Sequence, residues 1–308
     1  MANRRRRRGV PPAATVGVAV VLAAVVAIAG SWQGPTVGGV GVFALCVAVA
    51  FVINWVAWIP ASLWRTERFY DLTGSVTFVA VVVTALAGSP APGGAASVWR
   101  VVVAAMVVVW AVRLGSFLFR RVRRDGSDGR FDKIKVHPMA FLATWTLQAL
   151  WVSMTVAAAL AAVTVADGLG GVWAVLGVIV WLKGFIIEVV ADTQKRRFRS
   201  DPANVGRFIS TGLWSWSRHP NYLGEITLWC GVALMAVPTL AGWRWVVLAS
   251  PVFVWFLLTR VSGIPLLEAR AAARFDDDPG YRAYVERTPV LLPRLRRPIR
   301  DGASRGTP

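Results

Sequence analysis

The sequence contains few of the residues on which secreted domains and soluble metalloenzymes depend. Only 16% of its 308 residues are charged, and it has two cysteines and two histidines. Cys46 and Cys230 lie inside apolar runs, where a thiol usually packs as a small hydrophobe. We therefore expect no disulfide framework, no Cys-His metal site and no bound metal. The acidic run Asp276–Asp278 has no matching framework of metal ligands and is predicted to be a solvated turn.

The chain also lacks a G-x-G-x-x-G motif after a predicted strand, which excludes the phosphate-binding turn of a Rossmann domain. A bound dinucleotide would have to be held by side chains of helices. Acidic residues are scarce, with 16 Asp and Glu against 34 Lys and Arg, for a formal charge of +18. This charge does not indicate a nucleic-acid partner, because the basic residues collect in particular loops between apolar runs.

Long apolar runs dominate the rest of the chain, which is 56% hydrophobic. Each run has about the 20 residues that cross a bilayer as a helix. Strands are excluded for the Val-rich runs, because the apolar blocks are far longer than strands and helices satisfy their own backbone in lipid. We predict an all-α, polytopic transmembrane helical bundle of about seven or eight helices, with spans at 13–30, 37–60, 72–88, 97–119, 139–165, 171–191, 222–240 and 243–262.

Basic residues occupy alternate connections between these spans. Connections 61–71, 120–138, 192–221 and the tail after 262 hold nearly all Arg and Lys, whereas 31–36, 89–96, 166–170 and 241–242 hold none. By the positive-inside rule, both termini are predicted to be cytoplasmic. The first run resembles a signal peptide, but Gly30–Gln33 is a poor cleavage site, so we expect a retained helix. We expect an integral protein of a bacterial inner membrane, with its site facing the cytoplasm.

Polar groups concentrate between the sixth and seventh runs, from Gly184 to Glu225. Residues spaced by three or four positions form one stripe along the sixth helix and its extension: Glu188, Asp192, Lys195 or Arg196, and Arg199. An acid one turn inside an apolar run is expensive, which favours a site role for Glu188 and Asp192. For the basic residues, pairing within the helix and snorkelling to the interface remain an alternative.

The start of the seventh helix is predicted to bind an anion. Pro220 suits the first turn of a helix, and the free N–H groups there, with Arg199, Arg207 and Arg218, would attract phosphates. Asn221 and Glu225 lie four residues apart and share a face that suits a planar amide ring or an adenine. Helix capping by Asn221 and an interfacial role for His219 are the alternatives. Arg260 suits either snorkelling or a second phosphate contact.

These residues together resemble a known family. The pattern is Glu188, Asp192, Gln194, Phe198, Pro202, Asn204, Gly206, Gly212–Trp214, Ser217–Tyr222 and Gly224–Glu225, with a tail of Ser262–Glu268, Tyr281, Tyr284, Leu292 and Pro293. It is similar to the steroid 5-alpha-reductase-like membrane family, in its large uncharacterised bacterial branch of the domain-of-unknown-function type. The resemblance covers about residues 67–293. It implies NADPH-dependent reduction of an activated C=C bond inside a helical bundle.

The resemblance also implies roles for individual residues. Asp192, Arg199 and Arg207 would hold the ribose and phosphates, Asn221 and Glu225 would face the nicotinamide, and Arg260 would contact phosphate. The predicted cofactor-binding set is completed by Glu188, Arg196, Arg218, His219, Tyr222 and Glu268. Glu188 stands where the reductases have an amide, and Ile264 and Glu268 stand where the steroid enzymes have His and Tyr.

A proton donor is predicted near the start of the third helix. The Gln-Glu pair of the family has no match in the early helices, and the candidates are Tyr70 as donor and Asp71 as its orienting group, with Asn54 as a helper. An interfacial aromatic and an acid that caps the third helix are an equal alternative.

Three functions follow from the sequence. The first is an integral membrane oxidoreductase that uses NADPH to reduce an enone or enoyl group of an apolar lipid or steroid-like substrate taken from the bilayer. The second is an S-adenosylmethionine-dependent methyltransferase, because Arg218–Gly224 also resembles isoprenylcysteine carboxyl methyltransferases. The third is a non-catalytic lipid-binding protein. The predicted organisation is a basic tail with two helices (1–66), a reductase-like helical domain (67–293) and a basic C-terminal tail (294–308).

Overall fold

The structure of the chain, a computed structural model, describes residues 10–125, 129 and 131–293, without the side chains of 121–125. Within these residues, eight helical segments are long and apolar enough to cross a membrane. Large apolar side chains on these helices remain exposed, as expected for surfaces that face lipid. The protein is thus a polytopic α-helical membrane protein, and the predicted fold class is confirmed.

Ten α-helices follow one another along the described chain: α1 (Pro12–Gly30), α2 (Val42–Leu63), α3 (Tyr70–Gly88), α4 (Gly94–Asp125), α5 (Pro138–Thr164), α6 (Gly171–Ser200), α7 (Pro220–Ala236), α8 (Ala249–Phe256), α9 (Ile264–Phe275) and α10 (Pro279–Arg287). Short 3-10 segments lie at Pro202–Asn204, Gly212–Ser215, Val237–Thr239 and Gly242–Leu248, and a π-helical turn lies at Leu257–Val261.

The second helix begins later than predicted, at Val42 instead of residue 37. The preceding residues form a small antiparallel hairpin of β1 (Thr36–Val37) and β2 (Val40–Gly41). Gly38 and Gly39 both have positive φ, at +58° and +80°, as a two-residue hairpin turn requires. Two adjacent glycines therefore delay the helix.

The sixth and eighth spans also differ from the prediction. Helix α6 continues past residue 191 to Ser200, because its polar end can keep its backbone hydrogen bonds outside the apolar region. The predicted helix 243–262 consists of a 3-10 segment, helix α8 and a π-helical turn, and α9 begins after it at Ile264. In the seventh span, Pro238 lacks a backbone N–H, and the last turn is 3-10 instead of α.

The chain divides into two compact units. The first comprises residues 1–183 and 226–257. Its centre is α5, which is buried over most of its length and packs against α1, α2, α3, α4 and α8. The run of buried alanines Ala157–Ala162 allows neighbouring helices to approach α5 closely.

The second unit comprises residues 184–225 and 258–308. It contains the end of α6, the first turns of α7, and helices α9 and α10. An aromatic cluster holds α9 and α10 together. The centroid of the Phe208 ring lies 5.2 Å from that of Tyr281, 5.5 Å from that of Tyr284 and 5.8 Å from that of Phe275. Twelve of the fourteen predicted site residues belong to this unit.

Candidate functional site

The end of α6 and the start of α7 touch backbone to backbone. A Cβ atom on Gly224 would lie 2.6 Å from both the Gly184 carbonyl oxygen and the Glu188 nitrogen, so only glycine fits there. This contact places the backbone of Glu188, whose side chain is only 3% exposed, beside the residue that precedes Glu225. Two predicted carboxylates therefore come from adjoining positions on two packed helices.

Residues at the start of α7 pair with an acid on α9. Nε2 of His219 lies 2.7 Å from Oε1 of Glu268, and Nη1 of Arg218 lies 2.8 Å from Oε2 of the same carboxylate. The His219 ring also lies parallel to the Tyr222 ring, at a centroid distance of 5.7 Å and an angle of 8°. The structure thus brings together four residues of the predicted cofactor set.

His219 is buried, and its two ring nitrogens have different surroundings. An ionised carboxylate only accepts hydrogen bonds, so Nε2 donates to Glu268 and Nδ1 is left as an acceptor in the neutral ring. Nδ1 has no hydrogen-bond partner among the described residues, and neither does Nε of Arg218. Burial lowers the pKa of His219 below 6.5, although the hydrogen bond to Glu268 opposes this effect. Because of the lowered pKa, the neutral ring dominates near pH 7.

The loop between α6 and α7 is fixed to the stripe on α6. The Leu213 N–H donates to Oε1 of Gln194 at 3.0 Å, and the Trp214 indole N–H donates to the Ala191 carbonyl at 3.1 Å. Nζ of Lys195 lies 4.3 Å from the Trp214 ring centroid, a cation–π distance. Of the two basic residues that fit the stripe, Lys195 packs on this loop, whereas Arg196 is exposed.

Helix α10 and the segment after it also hold this loop. The Tyr284 hydroxyl donates to the Trp214 carbonyl at 2.7 Å, and the Arg218 N–H donates to the Pro289 carbonyl at 2.9 Å. Burial raises the pKa of Tyr284 to about 12, so this hydroxyl stays protonated. The position of Arg218 is therefore set by backbone contacts as well as by Glu268.

The remaining predicted bases are exposed. Arg196 and Arg199 lie on the last turns of α6, Arg207 follows the 3-10 segment Pro202–Asn204, and Arg260 lies in the π-turn. Asp192 and Arg199 are both within electrostatic range of Lys195, and all three residues lie on α6. On the first turns of α7, the predicted side chains are half-buried: Asn221, Tyr222 and Glu225.

The predicted catalytic pair belongs to the first unit. The Tyr70 hydroxyl donates to the Thr144 carbonyl at 3.1 Å, and the Tyr70 ring lies 4.9 Å from Phe131 and 5.0 Å from Trp145. Asp71 is half-buried in the first turn of α3 and is not its N-cap, which is Phe69. The Asn54 amide donates to Thr77 at 3.3 Å. The structure thus gives Tyr70 a fixed ring and a defined hydroxyl partner.

Several residues of these clusters are absent from the predicted site. Lys195, Gln194 and Tyr284 hold the loop before α7. Lys195 is predicted as an alternative to Arg196, and the other two belong to the family pattern, but none of the three is in the predicted cofactor-binding set. In the first unit, Glu67 is 4% exposed and its Oε2 lies 2.9 Å from Nζ of Lys135. This hydrogen bond raises the pKa of Lys135. No sequence signal indicated this pair, because its partners are 68 residues apart.

The sequence matches one family model and one curated protein. A family model described as "Protein of unknown function (DUF1295)" matches residues 57–288. A protein of the fission yeast Schizosaccharomyces pombe, named Uncharacterized protein C594.04c, is 28% identical over 148 residues, an alignment that covers 41% of this chain and 40% of the relative. The chain therefore matches less than half of that protein's length. No solved structure matches the chain at a significant level.

Proposed function

Because the chain belongs to the DUF1295 family and crosses a membrane with apolar helices, we propose that it is an integral membrane reductase. It would use NADPH to reduce an activated C=C bond, in an enone or enoyl group, of an apolar lipid or steroid-like substrate. The resemblance of the Glu188–Glu225 stretch to the steroid 5-alpha-reductase-like family supports this proposal.

The observation that supports the proposal most directly is the pairing of Arg218 and His219 with Glu268. It leaves two buried nitrogens of opposite character, the Arg218 Nε donor and the His219 Nδ1 acceptor, without a partner among the described residues. A nicotinamide nucleotide offers the complement of both, because its carboxamide donates through NH2 and its phosphates accept. The donor set of this cluster therefore fits the cofactor.

Exposed guanidinium groups near the same loop fit the rest of a phosphorylated nucleotide. Arg196, Arg199 and Arg207 are exposed within the second unit and present planar forks that match phosphate oxygens. Asp192 is half-buried on the same face of α6 as Arg199 and suits ribose hydroxyls, which donate to carboxylates. NADPH carries one more phosphate than NADH, so a surplus of arginines favours NADPH.

Bound NADPH supplies the hydride for the reduction. Tyr70 has the complementary task of donating a hydrogen bond to the substrate carbonyl oxygen, where negative charge develops as the double bond accepts the hydride. Its hydroxyl proton points to the Thr144 carbonyl, so substrate must take the place of that acceptor. The packed aromatic neighbours of Tyr70 keep its ring in one orientation during this exchange. Asp71, one residue on, is proposed to orient it.

One observation favours methyl transfer as a second candidate. S-adenosylmethionine contains a sulfonium cation, and the Glu268 carboxylate is a half-buried anion at the same cluster. Glu268 is already shared by Arg218 and His219, however, and both compete for its negative charge. The reductase is therefore the better-supported candidate.

The test is thermal unfolding of the purified protein with NADPH, NADP+, NADH and S-adenosylmethionine in parallel. A ligand at 100 times its dissociation constant stabilises the native state by about 2.7 kcal/mol. Stabilisation by NADPH and NADP+ above NADH is expected. Stabilisation by S-adenosylmethionine alone would replace the proposal with methyl transfer, and no response to any ligand would favour a non-catalytic lipid-binding protein.

Variants make the same experiment specific to the site. Arg199→Gln and Arg207→Gln should reduce the NADPH-induced shift in melting temperature. Arg197→Gln is the matched control, because Arg197 is equally exposed on the last turn of α6 but lies outside the stripe. Equal shifts in all three variants would remove the two arginines from the proposed phosphate site.

A further inference from the structure

An apolar groove runs along the membrane-spanning part of α3 and α4, in the first unit. It has a volume of about 440 Å³, within the range of about 300–1,000 Å³ that ligand sites occupy. Its walls are mostly apolar and include four Val residues, with Leu72 and Phe119 at one end. This groove contains none of the residues of the candidate site.

The direction of the groove follows from the packing of the two helices. A Cβ on Gly115 would meet the Ser75 side chain, so Gly115 of α4 lies level with Ser75 of α3. Leu72 and Phe119 therefore share one end, which is the beginning of α3 and the last turns of α4. The groove extends from there to Val83, roughly 16 Å at 1.5 Å per residue.

Basic residues mark that end. Arg120 follows Phe119 directly and is exposed, and Arg68 is exposed just before the first turn of α3. Toward the opposite end, Arg100 is buried and donates to backbone carbonyls between residues 85 and 90, so its charge is held inside the protein. A long apolar channel with exposed basic residues at one end is complementary to a lipid with an anionic head and a flexible chain.

The physical chemistry of the bilayer decides which lipid should occupy it. Lipid tails are as apolar as Val or Leu, so moving an acyl chain from bulk lipid into the groove releases little free energy by itself. Selective occupation therefore needs a head group that the protein attracts more strongly than the bulk membrane does. An arginine near the membrane surface attracts an anionic head group and gives about a fivefold preference.

We propose that the groove between α3 and α4 binds one anionic phospholipid, with its acyl chain along Val76, Val79 and Val83 and its phosphate at Arg120 and Arg68. The site is independent of the nucleotide site of the proposed function. It makes the anionic lipid a resident ligand of the first unit.

The test is native mass spectrometry of the protein in micelles with equal amounts of phosphatidylglycerol and phosphatidylcholine of identical chains. One phosphatidylglycerol should remain bound, with about a fivefold preference or more. Val76→Trp fills the groove from the lipid side and should remove the bound lipid. Val98→Trp is the matched control, because Val98, on α4, is exposed like Val76 on α3 but does not line the groove.

A second variant keeps the proposal testable if Val76→Trp does not fold. Arg120→Gln should leave a lipid bound but reduce the preference for phosphatidylglycerol, whereas Arg197→Gln should not. Equal binding of the two lipids by the unmodified protein would overturn the proposal. So would equal retention of lipid by Val76→Trp and Val98→Trp, or an unchanged preference in Arg120→Gln.

Discussion

Glu268 joins the start of α7 to α9 by accepting from both Arg218 and His219, at 2.8 Å and 2.7 Å. The two donors are adjacent in sequence, but the acceptor follows 49 residues after His219. One carboxylate thus fixes the histidine ring and the guanidinium together. Because Glu268 accepts the hydrogen bond from Nε2, it fixes the tautomer of His219, and a ligand at Nδ1 would meet a hydrogen-bond acceptor.

Glu268→Gln should therefore destabilise the protein. The amide has similar shape but no charge, so Arg218 and His219 lose charge-assisted hydrogen bonds, at a loss of about 1–3 kcal/mol in the free energy of unfolding. Thermal unfolding in detergent measures the change. Glu286→Gln, at an exposed acid on α10, is the control and should change stability by less than about 0.5 kcal/mol. Equal stability of the two variants would contradict the importance assigned to Glu268.

His219 should make stability depend on pH in a definite direction. Burial lowers its pKa in the folded state below the ordinary 6.5, although Glu268 opposes the effect and Lys195 and Arg218 reinforce it. Between 6.5 and the lower folded pKa, the unfolded chain binds a proton that the folded protein does not, so stability falls as the pH drops through this window. Above the window, this histidine contributes no pH dependence.

The measurement is the melting temperature at about pH 7.5 and about pH 5.5 for three proteins. His219→Gln should show a smaller decrease than the unmodified protein. His137→Gln is the control, since His137 is exposed and precedes α5 in the first unit. A decrease of the same size in all three proteins would show that other groups cause the pH dependence.

The fold was largely predictable from the sequence, because apolar length and loop charge are local signals. Eight spans were predicted and eight are present in the described residues. The errors lie where local chemistry competes with hydropathy, as at Gly38 and Gly39, which form a hairpin turn inside a run that hydropathy assigns to helix. The extension of α6 to Ser200 is polar and lies outside the apolar run, but the spacing of Glu188, Asp192 and Arg199 by three or four residues predicted it.

The sequence predicts which residues could form the candidate site, but it does not predict their contacts. The spacing that placed Asp192 and Arg199 on one face fits Lys195 and Arg196 equally well, and only packing on Trp214 separates them. Likewise, nothing in the sequence pairs His219 with Glu268, because contacts between distant helices depend on how the chain folds back. Local periodicity determines a helix face, whereas tertiary packing determines the partner.

The close contact of α6 and α7 predicts a strong effect at Gly224. In Gly224→Ala, the new Cβ would approach the Gly184 oxygen and the Glu188 nitrogen to 2.6 Å, and both are backbone atoms that cannot rotate away. Separation of the helices should reduce stability by about 1–3 kcal/mol. Gly17→Ala is the control, since a Cβ there meets no atom within 4 Å. Similar melting temperatures of the two variants would contradict the close approach.

Tyr70→Phe tests whether Tyr70 acts as a proton donor or only packs through its ring. The ring contacts with Phe131 and Trp145 should persist, and loss of the hydrogen bond to Thr144 should reduce stability by about 1 kcal/mol. If the hydroxyl supports the reaction, the rate of NADPH oxidation with a 3-oxo-4-ene steroid or an enone lipid should fall by about 100-fold or more. The dissociation constant for NADPH should not change.

Tyr284→Phe provides the matched comparison, because it too removes a hydroxyl that donates to a backbone carbonyl, that of Trp214 at 2.7 Å. A similar loss of stability is expected in both variants, but a large loss of turnover only in Tyr70→Phe. Equal turnover in Tyr70→Phe and the unmodified protein would exclude Tyr70 as the donor. Equal losses of turnover in the two variants would instead attribute the effect to weakened structure, because the Tyr70 hydroxyl would then have no greater effect on the reaction than the Tyr284 hydroxyl.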